Sequence, residues 1–483
     1  MNTSTTQPSP VPPTEKRKKT SLLPKRLVSL DAYRGFIMTM LAASGFGIAK
    51  LADLDANNDV WKVWDYESFQ RLRFHFTHPA WESITGGMGV SFWDMIQPCF
   101  MFMVGVAMPF SYARRKKMGS SATGRLLHAA FRSVVLTLMG VFLYSLNKSE
   151  TNWIFTNVLS QIGLGYFFAY LALGLKPQIQ IAAIAAILIG YWGLFVLNPP
   201  PEDFDYAAVN ASAENGEVYE GRFAPWSKNS NVGHQFDLWL LNKLRQPDSK
   251  TDESVEVDGE TPLSIDAVFE PAESESPSAA PDASEYIRRW WFSSADEHKF
   301  NRGGYVTLNF VPSIATMLFG ILCGQLLMSR ETNGHKLRTL LISGAICIAL
   351  GVLAHNSVCP IVKRIWTPSW ALFSGGYAMW MLALFYLLFD VLPLRFLAFP
   401  FVVVGMNSIL MYLMGQMLKS WVRTKVLQTH FAKVFASFEA QIGSDVLAAS
   451  PTGMGTMIAP TAVFAVFWLV AFWLYRSRCF VRV

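Results

Sequence analysis

Residues 91–112 read SFWDMIQPCFMFMVGVAMPFSY, an apolar run of membrane-crossing length with one acid, Asp94, near its start. A transmembrane helix needs about 20 mainly apolar residues, so this run predicts a membrane span. An ionisable residue inside a span costs roughly 2.5–3.5 kcal/mol on insertion scales, and such residues usually mark a functional site. We therefore expect a polytopic membrane protein whose chemistry lies near Asp94.

The composition of the whole chain predicts the same class of protein. The 483 residues are 52% hydrophobic and only 16% charged, against about 25% charged residues in soluble domains. The apolar runs do not alternate apolar and polar positions, as the strands of a β-barrel would. The net charge of +6 comes from short clusters beside apolar runs, so no nucleic-acid partner is expected. The five cysteines lack paired spacing, so no disulfide framework is expected.

The order of the apolar runs predicts an all-α transmembrane bundle of about ten spans. Four basic clusters, at 16–26, 114–117, 335–338 and 476–478, fall on one side of this bundle. Cytoplasmic loops carry the excess of Lys and Arg, so we expect that side and both termini to be cytoplasmic. The expected spans are 30–50, 91–112, 125–146, 153–174, 179–197, 305–328, 337–354, 371–390, 398–420 and 457–476.

The spans divide the chain into two membrane portions joined by a long outer segment. Within that segment, residues 246–285 are acidic and rich in Ser, Pro and Ala, which predicts disorder. Helical spacing is expected at 231–244 and 286–292, and an amphipathic interfacial helix at 426–447. The regions are a basic tail (1–28), N-terminal spans (29–197), the outer segment (198–304), C-terminal spans (305–476) and a short tail (477–483).

His78 is the first candidate for chemistry, because it lies in the polar bridge FTHPAW (76–81) between two spans. An imidazole with an ordinary pKa near 6.5 suits proton transfer at neutral pH, although a loop histidine can also cap a helix. Asp94 lies sixteen residues later. It either orients that imidazole, or is a negative charge that the N-terminus of the helix stabilises. His75 could pair with His78, but no carboxylate or cysteine completes a ligand set, so no metal is expected.

A second group of polar residues lies within the predicted spans. Arg34, near the cytoplasmic end of the first span, can bind a phosphate bidentately, or can pair with Asp31. Arg132 in the third span offers a second cation. Gln161 and Asn407 either join helices by hydrogen bonds or serve the chemistry, Asn407 as a donor to a developing oxyanion.

Six short motifs occur in order between residue 26 and about residue 412. They are RLVSLDAYRG (26–35), HPAW followed by DMIQPCFMFMVG (78–81 and 94–105), NVLSQIG (157–163), PSIAT (312–316), PIVKRIWTPS (360–369) and GMNS (405–408). Taken together, these motifs resemble the heparan-α-glucosaminide N-acetyltransferase family, which are membrane acetyltransferases with bacterial relatives. Two positions depart from the family pattern: NRGG (301–304) replaces an acidic D-P-E-G, and Gln161 stands where relatives often carry Arg.

The resemblance implies acetyl-CoA on the cytoplasmic side and an amino-sugar or glycan acceptor on the other side. His78 is then the catalytic histidine, with Asp94 and Asn407 beside it. Arg34, Asp31, Arg132 and Gln161 are the expected contacts of acetyl-CoA. The expected acceptor contacts, by resemblance to the outer motifs, are Trp81, Lys363, Trp366, Thr367 and Ser369.

These expectations describe an acyltransferase of the bacterial inner membrane whose partners are the lipid bilayer and a glycan acceptor. N- or O-acetylation, direct or two-step transfer, and a homodimer all remain open. Two other classes are also open. The first is a sugar or glycolipid permease, in which Asp31, Arg34 and Asp94 would line the path. The second is a structural membrane protein whose polar residues join its helices.

Overall fold

The computed structural model describes residues 27–79, 81–148, 151–245, 297–392 and 394–481. Within these ranges the chain forms helices and no β-strand, which confirms the all-α prediction. The predicted helix at 231–244 is also confirmed, as Val232–Arg245. The acidic segment 246–285, the segment 286–292 and nearly all of the basic tail lie outside the described residues.

The helices start where the sequence supplies capping side chains. Ser91, Ser121 and Asn157 each accept a hydrogen bond from a backbone N–H two or three residues later. Such a cap satisfies one of the N–H groups that a helix start leaves unpaired. The helices used below are α1 (Val28–Ala42), α2 (Ile48–Ala52), α3 (Tyr66–His75), α4 (Phe92–Lys117), α5 (Ala122–Ser145), α6 (Val158–Leu171), α7 (Pro177–Val196), α8 (Val232–Arg245), α9 (Phe310–Met328), α10 (Asn333–Ser357), α11 (Pro368–Tyr386), α12 (Arg395–Met406), α13 (Ser408–Met417), α14 (Ala432–Ile442) and α15 (Gly455–Arg476).

Seven helices in the described ranges are long and apolar enough to cross a membrane, which indicates an integral membrane protein. Two bent pairs raise the number to nine: α1 with Ser44–Ala52, bent by 50°, and α12 with α13, bent by 69°. The predicted span at 153–174 is instead a shorter apolar helix, Val158–Gly174. The described helices therefore give seven to nine spans where the sequence predicted ten. The seven are α4, α5, α7, α9, α10, α11 and α15.

Burial separates central helices from peripheral ones. The most apolar windows of α4 and α9 are 72% buried, whereas those of α5, α7 and α10 are 28% buried. The exposed large apolar side chains of α5, namely Leu127, Phe131, Val134, Leu138 and Phe142, repeat at helical spacing. An apolar stripe of this kind on a peripheral helix is what a lipid-facing surface requires.

The two central helices approach closely through glycines. A Cβ atom added at Gly105 of α4 would lie 2.0 Å from the backbone oxygen of Met317 on α9. One added at Gly320 would lie 2.1 Å from the backbone oxygen of Phe102. Small residues at such crossings let membrane helices pack backbone to backbone.

One end of the bundle carries the start of α4, the loop before it and the loop before α11. There Ser83 donates its backbone N–H to the oxygen of Ile361 over 2.8 Å. Trp81 donates its indole N–H to the oxygen of Trp226 over 3.1 Å. The His78 loop therefore packs at this end against the loop before α11 and against Trp226 of the predicted outer segment.

Replacing Gly105 by Ala should destabilise the bundle, because the added methyl group meets backbone that cannot rotate away. Overpacking of this kind costs about 1–3 kcal/mol. Gly190 on α7 is the matched control, since a Cβ there meets no atom within 4 Å. Thermal unfolding of the detergent-solubilised protein should show a lower midpoint for Gly105→Ala and no loss for Gly190→Ala. Equal midpoints would contradict the close α4–α9 contact.

Candidate functional site

A buried carboxylate joins two of the candidate residues to a third. Asp94 Oδ1 lies 2.6 Å from His78 Nδ1 and 3.1 Å from Lys363 Nζ. The side chains of Asp94 and Lys363 are only 4% and 5% exposed, whereas that of His78 is 40% exposed. The three residues therefore form one cluster, in which the imidazole is the member open to a substrate.

The start of α4 determines the position of His78. Ser91 caps α4 and also donates its hydroxyl to the backbone oxygen of Thr77 over 2.6 Å. Phe76 packs against the ring of Trp93 in the first turn of the same helix. Because Asp94 lies in that turn, the local cap brings the residue before His78 and the carboxylate together.

The loop before α11 supplies Lys363. Its backbone N–H donates to Ser83 Oγ over 3.1 Å. The guanidinium of Arg364 donates to the backbone oxygens of Pro79 and Gly303, over 3.2 and 3.1 Å. Arg364 thus ties the His78 loop to the segment 301–304, and Lys363 is held at the centre of three loops.

Asp94 determines which imidazole nitrogen is available for chemistry. In the neutral ring, a proton on Nδ1 is donated to Asp94 Oδ1, which leaves the Nε2 lone pair free. No described residue forms a hydrogen bond with Nε2. The pKa of His78 is lowered, chiefly because protein desolvates part of the ring; the bond to Asp94 opposes this shift, and the charge of Lys363 adds to it. At neutral pH, His78 is therefore an uncharged base or nucleophile.

Four of the five residues expected to contact the acceptor are structural. Trp81 is 1% exposed, and Trp366, Thr367 and Ser369 are fully buried. Trp366 donates to Thr316, Thr367 caps α11, and Ser369 donates to the backbone oxygen of Pro360. These side chains shape the loop that presents Lys363. In this structure they expose almost no surface to a ligand, and their role as acceptor contacts stays a prediction.

Asn407 lies at the other end of the bundle from His78. Its side chain donates to the oxygen of Cys479 and accepts from the N–H of Val481, so it holds the chain after α15. Its neighbour Gly405 contacts the backbone of Asp31, in the first turn of α1. Phe76, by contrast, lies against Gly45, beyond the end of α1, roughly 15 Å or more further along the axis. The structure therefore does not bring Asn407 together with His78, and its catalytic role stays a prediction.

The residues expected to contact acetyl-CoA do not form one group. Arg34 Nη2 pairs with Asp31 Oδ1 over 3.1 Å on α1. Arg132 lies on α5, with its guanidinium 4.9 Å from the ring centre of Tyr166. Gln161 is fully buried and donates to the backbone oxygens of Phe155 and Thr307, which places it near the loops of the His78 end. The structure therefore does not place Gln161 with Arg34, and its contact with acetyl-CoA stays a prediction.

The structure adds residues that the sequence did not single out. Glu82 lies 3.3 Å from His355 Nε2 and accepts from the hydroxyl of Tyr219 over 3.3 Å. The backbone N–H of Ile361 donates to the other nitrogen of His355. In the sequence, Glu82 follows Trp81 and Arg364 follows Lys363. This adjacency to motif residues was the only feature of the sequence that could have indicated their role. These residues brace the loops around His78.

No protein-family model and no curated protein match this chain. The family resemblance of the six motifs therefore stays a prediction.

The pH dependence of His78 reactivity should show the effects of Lys363 and Asp94 on the pKa of the imidazole. Diethyl pyrocarbonate modifies neutral imidazole, so the modification rate of the His78 peptide, followed by mass spectrometry, should be half-maximal below pH 6.5. Lys363→Met removes a nearby positive charge and should move this midpoint up. Asp94→Asn removes the bond that favours the imidazolium and should move it down. Identical midpoints in all three proteins would contradict the cluster.

Proposed function

We propose that this protein is a membrane acetyltransferase. It transfers the acetyl group of cytoplasmic acetyl-CoA to an extracytoplasmic amino sugar or glycan, and His78 carries the chemistry. The proposal includes the family resemblance, an inner-membrane location and a cytoplasmic position for both termini. A sugar or glycolipid permease is the alternative.

The observation that carries the proposal is the contact of Asp94 with both His78 and Lys363. A buried carboxylate on Nδ1, with Nε2 open, is the arrangement by which acyl-transfer enzymes orient a histidine. Lys363 neutralises the buried carboxylate, because an unpaired charge in the interior is strongly unfavourable. Asp94 and Lys363 are positioning residues, and His78 is the group that meets the reacting atoms.

Two routes for the acetyl group are compatible with this geometry. In the first, Nε2 removes a proton from the acceptor amine as the amine attacks the thioester carbonyl, and CoA leaves as the thiol. In the second, Nε2 itself attacks the carbonyl, CoA leaves, and the amine then takes the acetyl group from the imidazole. Direct transfer is favoured, because it gains from holding both substrates together.

The charged residues of the described spans support an enzyme over a permease. Asp94 is paired with Lys363 and His78, and Asp31 is paired with Arg34. Each acid thus has a local, fixed partner instead of lining an open route through the bundle. Arg34, at the start of α1, is the residue that would meet a phosphate of acetyl-CoA, in exchange for Asp31.

Sidedness can be tested with single cysteines at Asp59 and Lys116 in a Cys479→Ser background. Cys479 is the exposed native cysteine among the five, so this background removes its signal. A membrane-impermeant maleimide added to right-side-out vesicles should label the cysteine at position 59 directly. It should label the one at position 116 only after permeabilisation, because that residue belongs to a basic cytoplasmic cluster. Equal labelling of both positions in sealed vesicles would contradict the orientation.

His78→Ala should lower kcat by about two to four orders of magnitude, because the transfer then lacks its base or nucleophile. The assay follows labelled acetyl from acetyl-CoA to glucosamine-terminated acceptors in washed membranes. His75→Ala is the matched control, since His75 is an exposed histidine three residues earlier. Near-normal turnover in His78→Ala would refute the proposal. Uptake of the labelled acceptor without acetylation would favour the permease.

A further inference from the structure

A second polar site lies at the far end of α4, about 30 Å from Asp94 at the rise of an α-helix. It is a small cleft between α4, α5 and α6. Its lining contains cationic and aromatic side chains and, in the described structure, neither Asp nor Glu. The polar members are Ser111, Tyr112, Arg115, Arg125, His128, Tyr166 and Tyr170.

Two arginines of α5 stack on tyrosines around this cleft. The guanidinium of Arg125 lies 5.0 Å from the ring centre of Tyr112, and that of Arg132 lies 4.9 Å from the ring centre of Tyr166. Stacking covers a face of each guanidinium. In the plane, Arg125 donates from Nη1 to the backbone oxygen of Ser120, and the other N–H groups are directed elsewhere around the edge of the guanidinium. Nε of both arginines is buried without a hydrogen-bond partner among the described residues.

The positive charge at the cleft is not compensated by the protein. Within the described ranges, no ion pair is formed by Arg115, Arg125 or Arg132, and Arg115 Nη2 contacts His128 Nε2. Arg125 lies in the first turn of α5, where the helix dipole disfavours a cation and favours an anion. A negatively charged ligand therefore stabilises the positive charges of these arginines.

The position of the cleft indicates where such a ligand comes from. The cleft adjoins the basic cluster 114–117 at the end of α4. Basic pockets between membrane helices on the cytoplasmic side bind anionic lipid head groups.

We propose that the cleft lined by Arg115 and Arg125, with Arg132 stacked on its lining residue Tyr166, binds a phosphate group, supplied by an anionic phospholipid or by a soluble phosphate compound. The in-plane N–H groups of the guanidiniums hold the phosphate oxygens, and the tyrosines hold the guanidiniums. This site is separate from the His78 cluster and does not rest on the proposed acetyl transfer.

The test uses the full-length protein in a neutral detergent and two probes. Native mass spectrometry measures retention of added phosphatidylglycerol, with phosphatidylcholine as the uncharged reference. Calorimetry measures binding of inorganic pyrophosphate. The variant is Arg125→Gln/Arg132→Gln, and the control is Arg114→Gln, which removes an exposed charge of the same basic cluster outside the cleft.

The double variant should lose at least about tenfold in affinity for one of the two probes, because each removed charge-assisted contact is worth about that factor. The control should bind like the parent protein. Loss for phosphatidylglycerol alone identifies a lipid as the source, and loss for pyrophosphate alone identifies a soluble phosphate. Arg125→Lys/Arg132→Lys keeps the charge without the planar fork and should bind with intermediate affinity. If both probes bind the parent and the double variant equally, or bind neither, the proposal is overturned.

Discussion

The Asp94 carboxylate is the interaction on which the organisation of one end of this protein depends. It is buried at the first turn of a central helix, and a charge in that position is stable only when well paired. It has two partners, His78 and Lys363, and the second lies 269 residues away in the chain. Satisfying this one group therefore brings the loop before α4 and the loop before α11 to the same point.

The side chains around this cluster show how a motif can serve a site without touching a ligand. Trp81 fills the space against Trp226, and Trp366 reaches Thr316 on α9. Both indoles are buried, so their contribution is to hold the loops against the helices. The sequence shows that these residues belong to a loop but not which way each side chain faces, so their burial could not be predicted from the motif. Lys363 alone among the five contacts the polar cluster.

The two ends of the bundle handle charge in opposite ways. At the His78 end, the buried acid and base are paired, and only the imidazole keeps an open nitrogen. At the far end of α4, Arg125 and Arg132 are held by tyrosine rings, with no described acid beside them. The first arrangement suits a reaction that must move a proton, whereas the second suits the binding of an anion.

The sequence by itself determined the features that depend on neighbouring residues: the all-helical class and most of the membrane-length runs. Hydrophobicity over about 20 residues is a local property, so it can be read from the chain. The contact between His78 and Asp94 could be predicted from the sequence, because only the start of one helix lies between the two residues. Only the tertiary structure decided that Lys363 joins them, that Asn407 lies at the opposite end, and that Arg132 stacks on a residue lining the same cleft as Arg125. Those outcomes depend on which helix faces meet, and that is set by packing between segments far apart in sequence.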